Sequence, residues 1–563
     1  MSSEVPKATT TSPSSGQRAP RFIVIGAGSR GNAYARAVRT TTAGVVHAVA
    51  EPHEFKRREF GQKFIWGAGN SPEEGQQFGD WREWLRWETE RRKRARAPNA
   101  LRTDDENTKL QSVEAQRSNP GGVDGVFICT LDETHVEIIQ AIAPLNVHIL
   151  CEKPLALSLN DCLTVYRTLQ PASPTPTADS QNQHSAAPPP QIIFSIGHVL
   201  RYSPHNTTLR KLLLTDRVIG DIVSLEHTEP VGWWHFAHSY VRGNWRRATS
   251  LGDGSLLTKS CHDIDFILWL LCSPASLEDA RVQGHQPHFP RSISSAGSLT
   301  QFRRARKPPG AGDSTTNCLS CPIERECNYS AVTIYHDRHL AQGHRAWPVD
   351  IVCPDIEDVY RAKGADAARE SLFSRLSEDY TVGEQSDAAI ASKPWYGRCV
   401  YEADNTVCDD QVVTLAWDDE QIAPWRLAKT ATFHMIAPTE SQCERRGRIY
   451  GTQGEIEYDS RKISIYDFQT REKSVLEIPR PSPERAESHG GGDYGLAGQF
   501  VRAVDAVVNG GLDVETAQAR FIGCTLEEAV QSHAMVFAAE EARREERVVR
   551  WDEWWQSKLK ESS

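Results

Sequence analysis

The stretch RFIVIGAGSRGNAYARAV, residues 21–38, decides the fold. A short apolar strand runs into a glycine loop, and helix-forming residues follow the loop directly. Gly26, Gly28 and Gly31 have the G-x-G-x-x-G spacing, in which the first glycine makes the turn, the second admits a pyrophosphate and the third allows close helix packing. A second strand leads to Glu51, twenty residues after the last glycine. The pattern predicts a βαβ unit that binds a dinucleotide.

Glu51 favours NAD over NADP as that dinucleotide. Its carboxylate is expected to accept hydrogen bonds from the adenosine ribose hydroxyls and to repel a 2′-phosphate. Basic residues within 53–57 follow closely, and they keep NADP open as an alternative. Ser29 and Arg30 complete the cofactor loop at the start of the helix, where backbone amides bind phosphate groups.

The rest of the chain predicts two domains of different kinds. The runs VDGVFICT and VHILCEKP, residues 123–130 and 147–154, have the length of buried parallel strands. From Gln191 onward, strands such as RGRIYGTQGEIEYD mix with apolar helices, which indicates an α+β domain. We therefore expect an α/β protein, in which an N-terminal Rossmann domain with a doubly wound parallel sheet precedes an α+β domain with a mainly antiparallel open sheet.

Shifts in composition predict the domain boundaries. The start of the chain and a later segment are rich in Ser, Thr and Pro, and neither has the apolar content to pack. The expected divisions are a disordered tail at 1–19, a Rossmann domain at 20–155 with an inserted segment at about 61–120, a linker with a Pro/Ser-rich loop at 156–190, a C-terminal domain at 191–549 with a Cys-containing insertion at about 285–395, and a C-terminal tail at 550–563.

Charge and apolar content limit the expected partners. The 563 residues carry a formal net charge of −10, which gives no general attraction to nucleic acid or to an anionic membrane. No apolar run reaches the length of about 18 residues that a membrane span needs, and the start lacks a secretory signal. We expect a cytoplasmic protein whose partners are small molecules or a second subunit, and whose 13 cysteines are not paired as disulfides.

Four motifs in a fixed order carry a family resemblance. GAGSRG is followed by CEKP at a strand end, then by a helix start that contains His262, then by GTQGEI. In this combination the chain resembles the glucose-fructose oxidoreductase, inositol dehydrogenase and rhizopine catabolism family (Gfo/Idh/MocA), over roughly residues 21–549 apart from the insertions. The resemblance implies NAD(P)-dependent oxidation or reduction at a secondary hydroxyl of a sugar or cyclitol. It also implies a homo-oligomer that forms through the C-terminal sheet.

Lys153 in CEKP is the expected catalytic acid or base. Pro154 keeps the lysine out of helical geometry at the carboxyl end of a strand, where open α/β sheets bind their ligands. Alcohol oxidation needs a group that takes the hydroxyl proton as the hydride leaves. The resemblance implies that Lys153 is this group and that Glu152 shapes the same turn. A lysine that merely caps a surface strand is the structural alternative.

The segment CTLDETH, residues 129–135, ends the fourth predicted strand and begins a helix. By the resemblance it lies where the backbone lines the cofactor, so Thr130 and His135 are candidates for cofactor contact. Capping of the helix by Asp132 or Thr134 explains the segment nearly as well.

His262 lies at the position of the family's catalytic histidine, but its usual acidic neighbour is missing. Dehydrogenases of the family commonly carry an aspartate four residues earlier, where this chain has Thr258. The departure removes the carboxylate that would raise the basicity of the imidazole and fix its tautomer. The threonine hydroxyl is still expected to hydrogen-bond the imidazole or a sugar hydroxyl. A histidine that only caps the apolar helix, or that pairs with Asp263 or Asp265, is the structural alternative.

The segment EPVGWWHFAHSYVRGNWRR, residues 229–247, is expected to supply the substrate pocket. Aromatic faces and mixed hydrogen-bond donors are typical of sugar sites, although the same content suits an aromatic core or a dimer interface. The candidate substrate-binding residues are Trp234, His238, Arg242 and Asn244, together with Thr258. In HGGGDYG, residues 489–495, Asp493 precedes a helix and is expected to be its N-cap.

Cys318, Cys321 and Cys327 form a C-x2-C-x5-C cluster in a segment poor in apolar residues. This spacing suits a tetrahedral structural zinc, with Cys353 or Cys399 as the fourth ligand, and a segment with little core gains stability from a metal. Free thiols are the alternative.

Together the motifs predict an NAD(P)-dependent oxidoreductase that acts on a sugar, sugar acid or cyclitol, with Lys153 as acid or base and His262 assisting. One alternative is a redox-neutral reaction, in which bound NAD transiently oxidises a sugar to permit elimination or glycoside hydrolysis. Another is a non-catalytic NAD-binding sensor or transcriptional co-regulator on the same fold.

Overall fold

The first domain is built on a parallel six-stranded sheet. The computed structural model describes residues 18–96, 122–170, 191–249, 254–277, 287–420, 426–479 and 489–561. The strands are β1 (Arg21–Ile25), β2 (Val45–Ala50), β3 (Gln77–Phe78), β4 (Gly125–Ile128), β5 (His148–Cys151) and β6 (Phe194–Ile196), in the order β3-β2-β1-β4-β5-β6. This is the doubly wound order, with its switch point between β1 and β4, where ligands bind at the carboxyl ends of the strands. The Rossmann prediction is confirmed.

Helices cover the faces of this sheet because its strands are apolar on both sides. They are α1 (Ser29–Thr41), α2 (Glu54–Phe64), α3 (Trp81–Arg96), α4 (His135–Ile142) and α5 (Leu159–Leu169). A late helix, α13 (Gly492–Val508), packs on the same sheet, since the Phe500 ring lies 5.7 Å from Phe22 and 5.3 Å from Phe127. The first domain is therefore completed by a segment near the other end of the chain.

The strand β6 lies in the first sheet, whereas we expected residues from 191 onward to belong to the second domain. It pairs in parallel with β5, and Ile149 is opposite Phe194. The run is only three residues long and is buried throughout, so its periodicity could not distinguish a parallel strand from an antiparallel one.

The second sheet has nine strands and is mainly antiparallel, as predicted. Its order is β14-β13-β12-β11-β7-β10-β9-β8-β15, and β7 and β10 pair in parallel. The strands are β7 (Ile222–Pro230), β8 (Ser292–Ser298), β9 (Asp410–Trp417), β10 (Lys429–Ile436), β11 (Arg446–Gly451), β12 (Gly454–Tyr458), β13 (Lys462–Asp467), β14 (Lys473–Glu477) and β15 (Val549–Arg550). Buried residues alternate with partly exposed ones along β9, so one face of the sheet packs against the core.

The remaining helices pack against this sheet or extend from it. They are α6 (Pro204–Arg210), α7 (Trp233–Phe236), α8 (Ser255–Thr258), α9 (Cys261–Leu271), α10 (Val349–Val352), α11 (Ile356–Leu376), α12 (Asp387–Ala391), α14 (Val514–Ala517), α15 (Leu526–Arg544) and α16 (Trp551–Glu561). A capping box between Thr525 and Glu528 begins α15. The segment expected as a C-terminal tail contains α16, whose Trp551 and Trp554 are buried.

The expected Cys-containing insertion has a hydrophobic core of its own. Ile334, Tyr335, Val349 and Leu372 are buried together within it, and Trp233 and Trp234 pack against this cluster. Within the inserted segment predicted at about 61–120, residues 61–96 form the end of α2 followed by β3 and α3. Residues 97–121, the Pro/Ser-rich stretch 171–190 and the start of the chain up to residue 17 lie outside the described residues.

Candidate active site

A cavity of about 1270 Å³ opens between the two domains at the carboxyl ends of the first sheet. Its first wall comes from the loops after β1, β2, β4 and β5, and its second wall comes from α7, α8, α9 and the segment around Cys443. The sequence motifs for the cofactor and for the expected catalytic residues therefore meet in one place.

The glycine loop is open at Gly28, where a pyrophosphate is expected, and is tightly packed at Gly26 and Gly31. Gly26 has φ +97°, and a Cβ built on it would lie 2.5 Å from the carbonyl oxygen of Cys129. A Cβ on Gly31 would lie 2.0 Å from the carbonyl oxygen of Gly26. Around Gly28, by contrast, no described atom lies within 4 Å of that position, and Gly28 lines the cavity. The first amides of α1 thus face open space, as a phosphate site requires.

Glu51 is fixed by the backbone at the edge of the same space. Its Oε2 accepts a hydrogen bond from the amide of Ala27 at 2.8 Å, and its Oε1 accepts one from the amide of His53 at 2.9 Å. Carboxylate oxygens have further lone pairs, which suit ribose hydroxyls. Arg57 donates to the carbonyl oxygen of Glu51 at 2.5 Å, and Lys56 lines the cavity. These residues fit an NAD molecule.

A buried charge cluster joins the glycine loop to CEKP and to α13. Arg30 Nε donates to Glu152 Oε1 at 2.7 Å, and Arg30 Nη2 donates to Asp493 Oδ1 at 2.6 Å. Burial opposes ionisation of Asp493, but the charge of Arg30 and the hydrogen bonds from Arg30 and His489 outweigh it and hold the pKa of Asp493 well below its usual range. Asp493 was predicted to cap the helix; instead Gly491 holds that position, and Asp493 pairs with Arg30.

Lys153 reaches across the cavity to the second domain. Its Nζ donates to the backbone carbonyl oxygen of Thr258 at 2.8 Å, and the lysine lines the cavity at the end of β5. His135 supports this loop from behind: its Nδ1 lies 2.9 Å from the carbonyl oxygen of Pro154, and its Nε2 lies 3.3 Å from that of Thr130. His135 therefore holds two loops together and is not among the residues that line the cavity.

The geometry assigns a protonation state to His262. Its Nε2 lies 2.6 Å from Nη2 of Arg445, and a guanidinium can only donate, so Nε2 accepts and the ring proton is on Nδ1. That Nδ1 is buried and has no hydrogen-bond partner among the described residues. Burial, then the charges of Lys153 and Arg445, lower the pKa of His262 well below its ordinary value. The imidazole is neutral and presents a hydrogen-bond donor.

The carboxylates near His262 come from positions other than 258. Arg445 Nε donates to Asp263 Oδ1 at 2.5 Å and lies 3.1 Å from Glu229 Oε2, while Lys259 Nζ lies 2.9 Å from Glu229 Oε1. Burial opposes ionisation of Asp263, but Arg445 outweighs it and holds its pKa well below the usual carboxyl range. Arg445 thus stands between the imidazole and these acids.

Thr258 does not replace the missing aspartate as a partner of the imidazole. Its hydroxyl donates to the carbonyl oxygen of Gly254 at 3.0 Å, as is common for threonine in a helix. The residue lines the cavity, and it contacts Lys153 through its backbone carbonyl only.

The structure brings most of the candidate residues together. Those that line the cavity are Gly26, Gly28, Ser29, Arg30, Glu51, Thr130, Glu152, Lys153, His238, Asn244, Thr258 and His262. Gly31, His135, Trp234 and Arg242 are not among them. Trp234 packs against Trp347 at 5.2 Å, and buried Arg242 donates to the carbonyl oxygens of Arg398 and Tyr329 at 2.7 Å each. Trp234 and Arg242 belong to one helical segment. One face of this segment packs against the core of the insertion, and the other lines the cavity.

Sequence reasoning did not single out four charged or polar side chains that line the cavity: Lys259, Cys443, Arg445 and His489. They come from three separate segments, so no spacing in the sequence links them. His489 was the most accessible to prediction, because it begins the glycine-rich HGGGDYG stretch, and a histidine beside a turn of glycines has room to face a ligand.

The predicted zinc site is not supported. Cys318, Cys321, Cys327 and Cys399 line one small cavity, and Cys353 lies in the core of the insertion. In the part of the chain that the structure describes, no three His, Cys, Asp or Glu side chains are arranged to hold a metal ion. This segment has a hydrophobic core, so the lack of a core that suggested a stabilising metal does not apply to it. Over the same residues, no helix is long and apolar enough to cross a membrane.

Comparisons with known proteins agree with this architecture. A family model described as an oxidoreductase family with an NAD-binding Rossmann fold matches residues 20–175. The model of the C-terminal alpha/beta domain of the same oxidoreductase family matches residues 211–294. The two models cover the glycine loop, CEKP and the helix that carries His262.

Individual relatives match over shorter or more divergent stretches. The 2,7-anhydro-N-acetylneuraminate hydratase of Escherichia coli is 28% identical over 149 residues, which are 26% of this chain and 34% of the hydratase. Inositol 2-dehydrogenase 2 of Saccharopolyspora erythraea is 29% identical over 150 residues, 26% of this chain and 35% of the dehydrogenase. The chain thus spans about a third of the length of these two curated relatives.

A solved structure matches nearly the whole chain at the level of the fold. Levoglucosan dehydrogenase in complex with NADH and levoglucosan has a TM-score of 0.51 and 14% sequence identity, and the match covers 94% of this chain and 99% of that one. At this identity the likeness concerns the fold alone.

Proposed function

We propose, on the premise that the chain belongs to the Gfo/Idh/MocA oxidoreductase family, that it is an NAD-dependent dehydrogenase acting on a secondary hydroxyl of a sugar, sugar acid or cyclitol. The observation that carries the proposal is that the glycine loop, Lys153 and His262 line one cavity. Each of them has a distinct role in a hydride transfer, and we assign that role from the contacts that the residue makes.

The first wall of the cavity holds the cofactor. The open amides at Gly28 bind the pyrophosphate, and Glu51 accepts hydrogen bonds from the ribose hydroxyls. Of the basic residues in 53–57, Arg57 is occupied by the backbone of Glu51 and Lys56 alone lines the described cavity, which favours NAD over NADP. When bound, the nicotinamide accepts a hydride from a substrate carbon or returns one to it.

Lys153 moves the proton that accompanies the hydride. One donor position of its Nζ is used by the carbonyl oxygen of Thr258, which holds the amine at the junction of the two walls. In its neutral form the amine takes the proton of the substrate hydroxyl as the C–H bond breaks, and in the reverse direction the ammonium returns it.

His262 has a different role from the one that sequence alone suggested. Because Arg445 occupies its Nε2, the imidazole cannot accept a proton there and acts as a donor through Nδ1. We expect Nδ1 to hydrogen-bond the substrate oxygen and so to orient the hydroxyl toward Lys153. His238 and Asn244 line the same cavity and offer contacts for further hydroxyls.

The test is a screen of sugars, sugar acids and cyclitols with NAD and with NADP, followed at the nicotinamide absorbance. Once a substrate is found, Lys153→Met is expected to abolish turnover while NAD affinity, measured by calorimetry, is retained. Lys560→Met is the matched control, because Lys560 is exposed on α16, away from the cavity. Full turnover by Lys153→Met would refute the assignment, and a complete loss of turnover would exclude the non-catalytic sensor.

A redox-neutral reaction is the second candidate, and the similarity to the hydratase favours it. In such a reaction the cofactor ends in the state in which it began. Substrate turnover by NAD-loaded protein without accumulation of NADH would replace the dehydrogenase proposal with this one.

We also propose that copies of the chain associate through the second sheet. Its strand β14 is exposed along its whole length, with Val475 54% and Leu476 41% exposed. Apolar side chains at an open strand invite a partner strand or sheet. Sedimentation of the wild type and of Val475→Lys tests this: a monomeric wild type would contradict it.

A further inference from the structure

His489 is an imidazole in the cavity that the proposed chemistry does not yet use. It lines the cavity, and 36% of its side chain is exposed. Its ring centroid lies 6.4 Å from that of His262, with the two rings nearly perpendicular. It therefore has access both to the site of hydride transfer and to solvent.

Asp493 fixes the orientation of His489. The Nδ1 of His489 lies 3.3 Å from Asp493 Oδ2, and the same oxygen accepts from Arg30 Nη1 at 2.9 Å. Asp493 is 1% exposed and is held by Arg30 at both of its oxygens, so it cannot turn toward water. A carboxylate in this position binds the Nδ1 proton and leaves Nε2 as the basic atom of the ring.

The cavity thus contains two imidazoles with opposite capacities. The Nε2 of His262 accepts a hydrogen bond from Arg445, so this ring can only donate a hydrogen bond to the cavity. The Nδ1 of His489 has a carboxylate partner, so its Nε2 can accept a proton. The carboxylate–imidazole pair that was missing at positions 258 and 262 is present here, supplied by another segment of the chain.

We propose that His489, oriented by Asp493, is the proton relay of this site and carries the proton of dehydrogenation from Lys153 to solvent. The inference rests on the proposed dehydrogenation, which releases one proton for every hydride transferred. The O–H bond of the substrate breaks as an N–H bond forms on Lys153 Nζ. That proton then passes to Nε2 of His489, either directly or through water, and the lysine returns to its neutral form. From the one-third exposed imidazolium the proton leaves to bulk water.

The charged groups around His489 are compatible with this transfer. Asp493 stabilises the imidazolium, and Arg30 lies behind that carboxylate. On the cavity side the neighbouring groups are His262 and His235, both of which burial keeps neutral by lowering the pKa well below the ordinary value. The proton therefore moves away from the cationic interior of the second wall toward the ring with the acidic partner.

Chemical rescue tests the relay. His489→Ala is expected to lower kcat on the order of a hundredfold, and imidazole added to the buffer is expected to restore the rate in proportion to its concentration. A histidine that serves only to shape the cavity would give no such rescue. The matched control is His434→Ala, which removes a similarly exposed histidine that is 2.7 Å from Asp410 on the second sheet. It is expected to change neither the rate nor the response to imidazole.

A second measurement needs neither substrate nor cofactor. Nitrogen NMR of the unliganded wild type is expected to show the neutral His489 ring protonated at Nδ1, and Asp493→Asn is expected to remove this preference. If Asp493→Asn does not fold, the wild-type spectrum alone tests the proposed tautomer of His489. A neutral ring protonated at Nε2 would contradict that tautomer, and the relay proposal would then be wrong.

The outcomes separate the two proposals. A wild type that reduces no cofactor with any substrate refutes the dehydrogenase function, and the tautomer measurement still tests the orientation of His489. An active wild type whose His489→Ala variant keeps its full rate, or loses rate without rescue by imidazole, overturns the relay while leaving the dehydrogenase function intact.

Discussion

The two walls of the cavity are held in place by different forces. At the glycine loop of the first wall the backbone sets the shape, because Gly26 and Gly31 leave no space for a side chain and Glu51 is fixed by amide donors. In the second wall buried charges set the shape, and they belong to Glu229, Lys259, Asp263 and Arg445. The glycine loop of the first wall is therefore sensitive to added atoms, and the second wall is sensitive to removed charges.

The largest expected effect is on the second wall. Arg445→Met leaves Asp263 and Glu229 buried without their shared cation, so we expect the free energy of unfolding to fall by about 3–5 kcal/mol. Arg461→Met is the control, because Arg461 forms an exposed pair with Glu444 and is expected to cost less than about 1 kcal/mol. Denaturant unfolding of both variants measures the difference. Equal losses would show that the buried charges do not hold this wall.

As the pH falls, the first domain is expected to lose stability at a higher pH than the ion pairs of the second wall do. Burial lowers the pKa of His148 in β5 from 6.5 to about 4. The unfolded chain therefore takes up a proton below pH 6.5 that the folded chain refuses, so stability falls as the pH drops from 6.5 to about 4. The shift corresponds to about 3 kcal/mol.

The pKa of Asp263 is lowered, so the stability that it contributes is lost only below the ordinary carboxyl range. His148→Gln is expected to reduce the loss of unfolding free energy between pH 6.5 and 4 by up to about 3 kcal/mol, measured by denaturant titration at each pH. Other buried histidines with a lowered pKa, such as His198 and His533, account for the rest of the loss. An unchanged slope in that variant would assign the loss to other groups.

A smaller effect distinguishes two glycines of the first wall. Gly31→Ala places a Cβ 2.0 Å from the carbonyl oxygen of Gly26, and we expect it to cost about 1–3 kcal/mol of stability as well as NAD affinity. Gly28→Ala meets no described atom within 4 Å, so it is expected to keep the fold and to lose only affinity. Thermal unfolding and NAD calorimetry on both variants measure this. Equal melting temperatures would contradict the packing role of Gly31.

The smallest expected effect concerns the choice of cofactor. Glu51→Gln keeps an oxygen that can accept from the amide of Ala27 but removes the charge that repels a 2′-phosphate. We expect the affinity ratio of NADP to NAD to rise about tenfold, or about 1.4 kcal/mol. Calorimetry with both dinucleotides measures the ratio. An unchanged ratio would show that Lys56 and its surroundings, and not Glu51, determine the preference for NAD over NADP.

The same contrast explains what the sequence could predict. The glycine loop, Glu51 and Lys153 were predictable, because each follows a strand directly and the ends of parallel strands meet at one edge of the sheet. His262 was found by resemblance, but its tautomer was not, because Arg445 reaches it from 183 residues further along the chain. No local rule connects these two positions.

Two differences between the sequence-based expectations and the structure have a common physical cause. Trp234 and Arg242 were predicted to bind substrate from their composition, yet the core of the insertion decides which face of their helical segment is buried. Asp493 was predicted to cap a helix, and a distant cation, Arg30, determines its actual role. Sequence identifies residues with the right chemistry, but packing between distant segments decides where their side chains point.

The packing of Phe500 against Phe22 and Phe127 has a consequence for biosynthesis. The first sheet is encoded at the start of the chain, but part of the apolar surface around Phe22 and Phe127 is covered by α13, so this part stays uncovered until residue 508 has been synthesised. Domains made first usually fold first on the ribosome. Here the nascent sheet is expected to keep apolar surface exposed until α13 is made, so chaperones are expected to bind it. Fragments that end before α13 are expected to aggregate rather than to bind NAD.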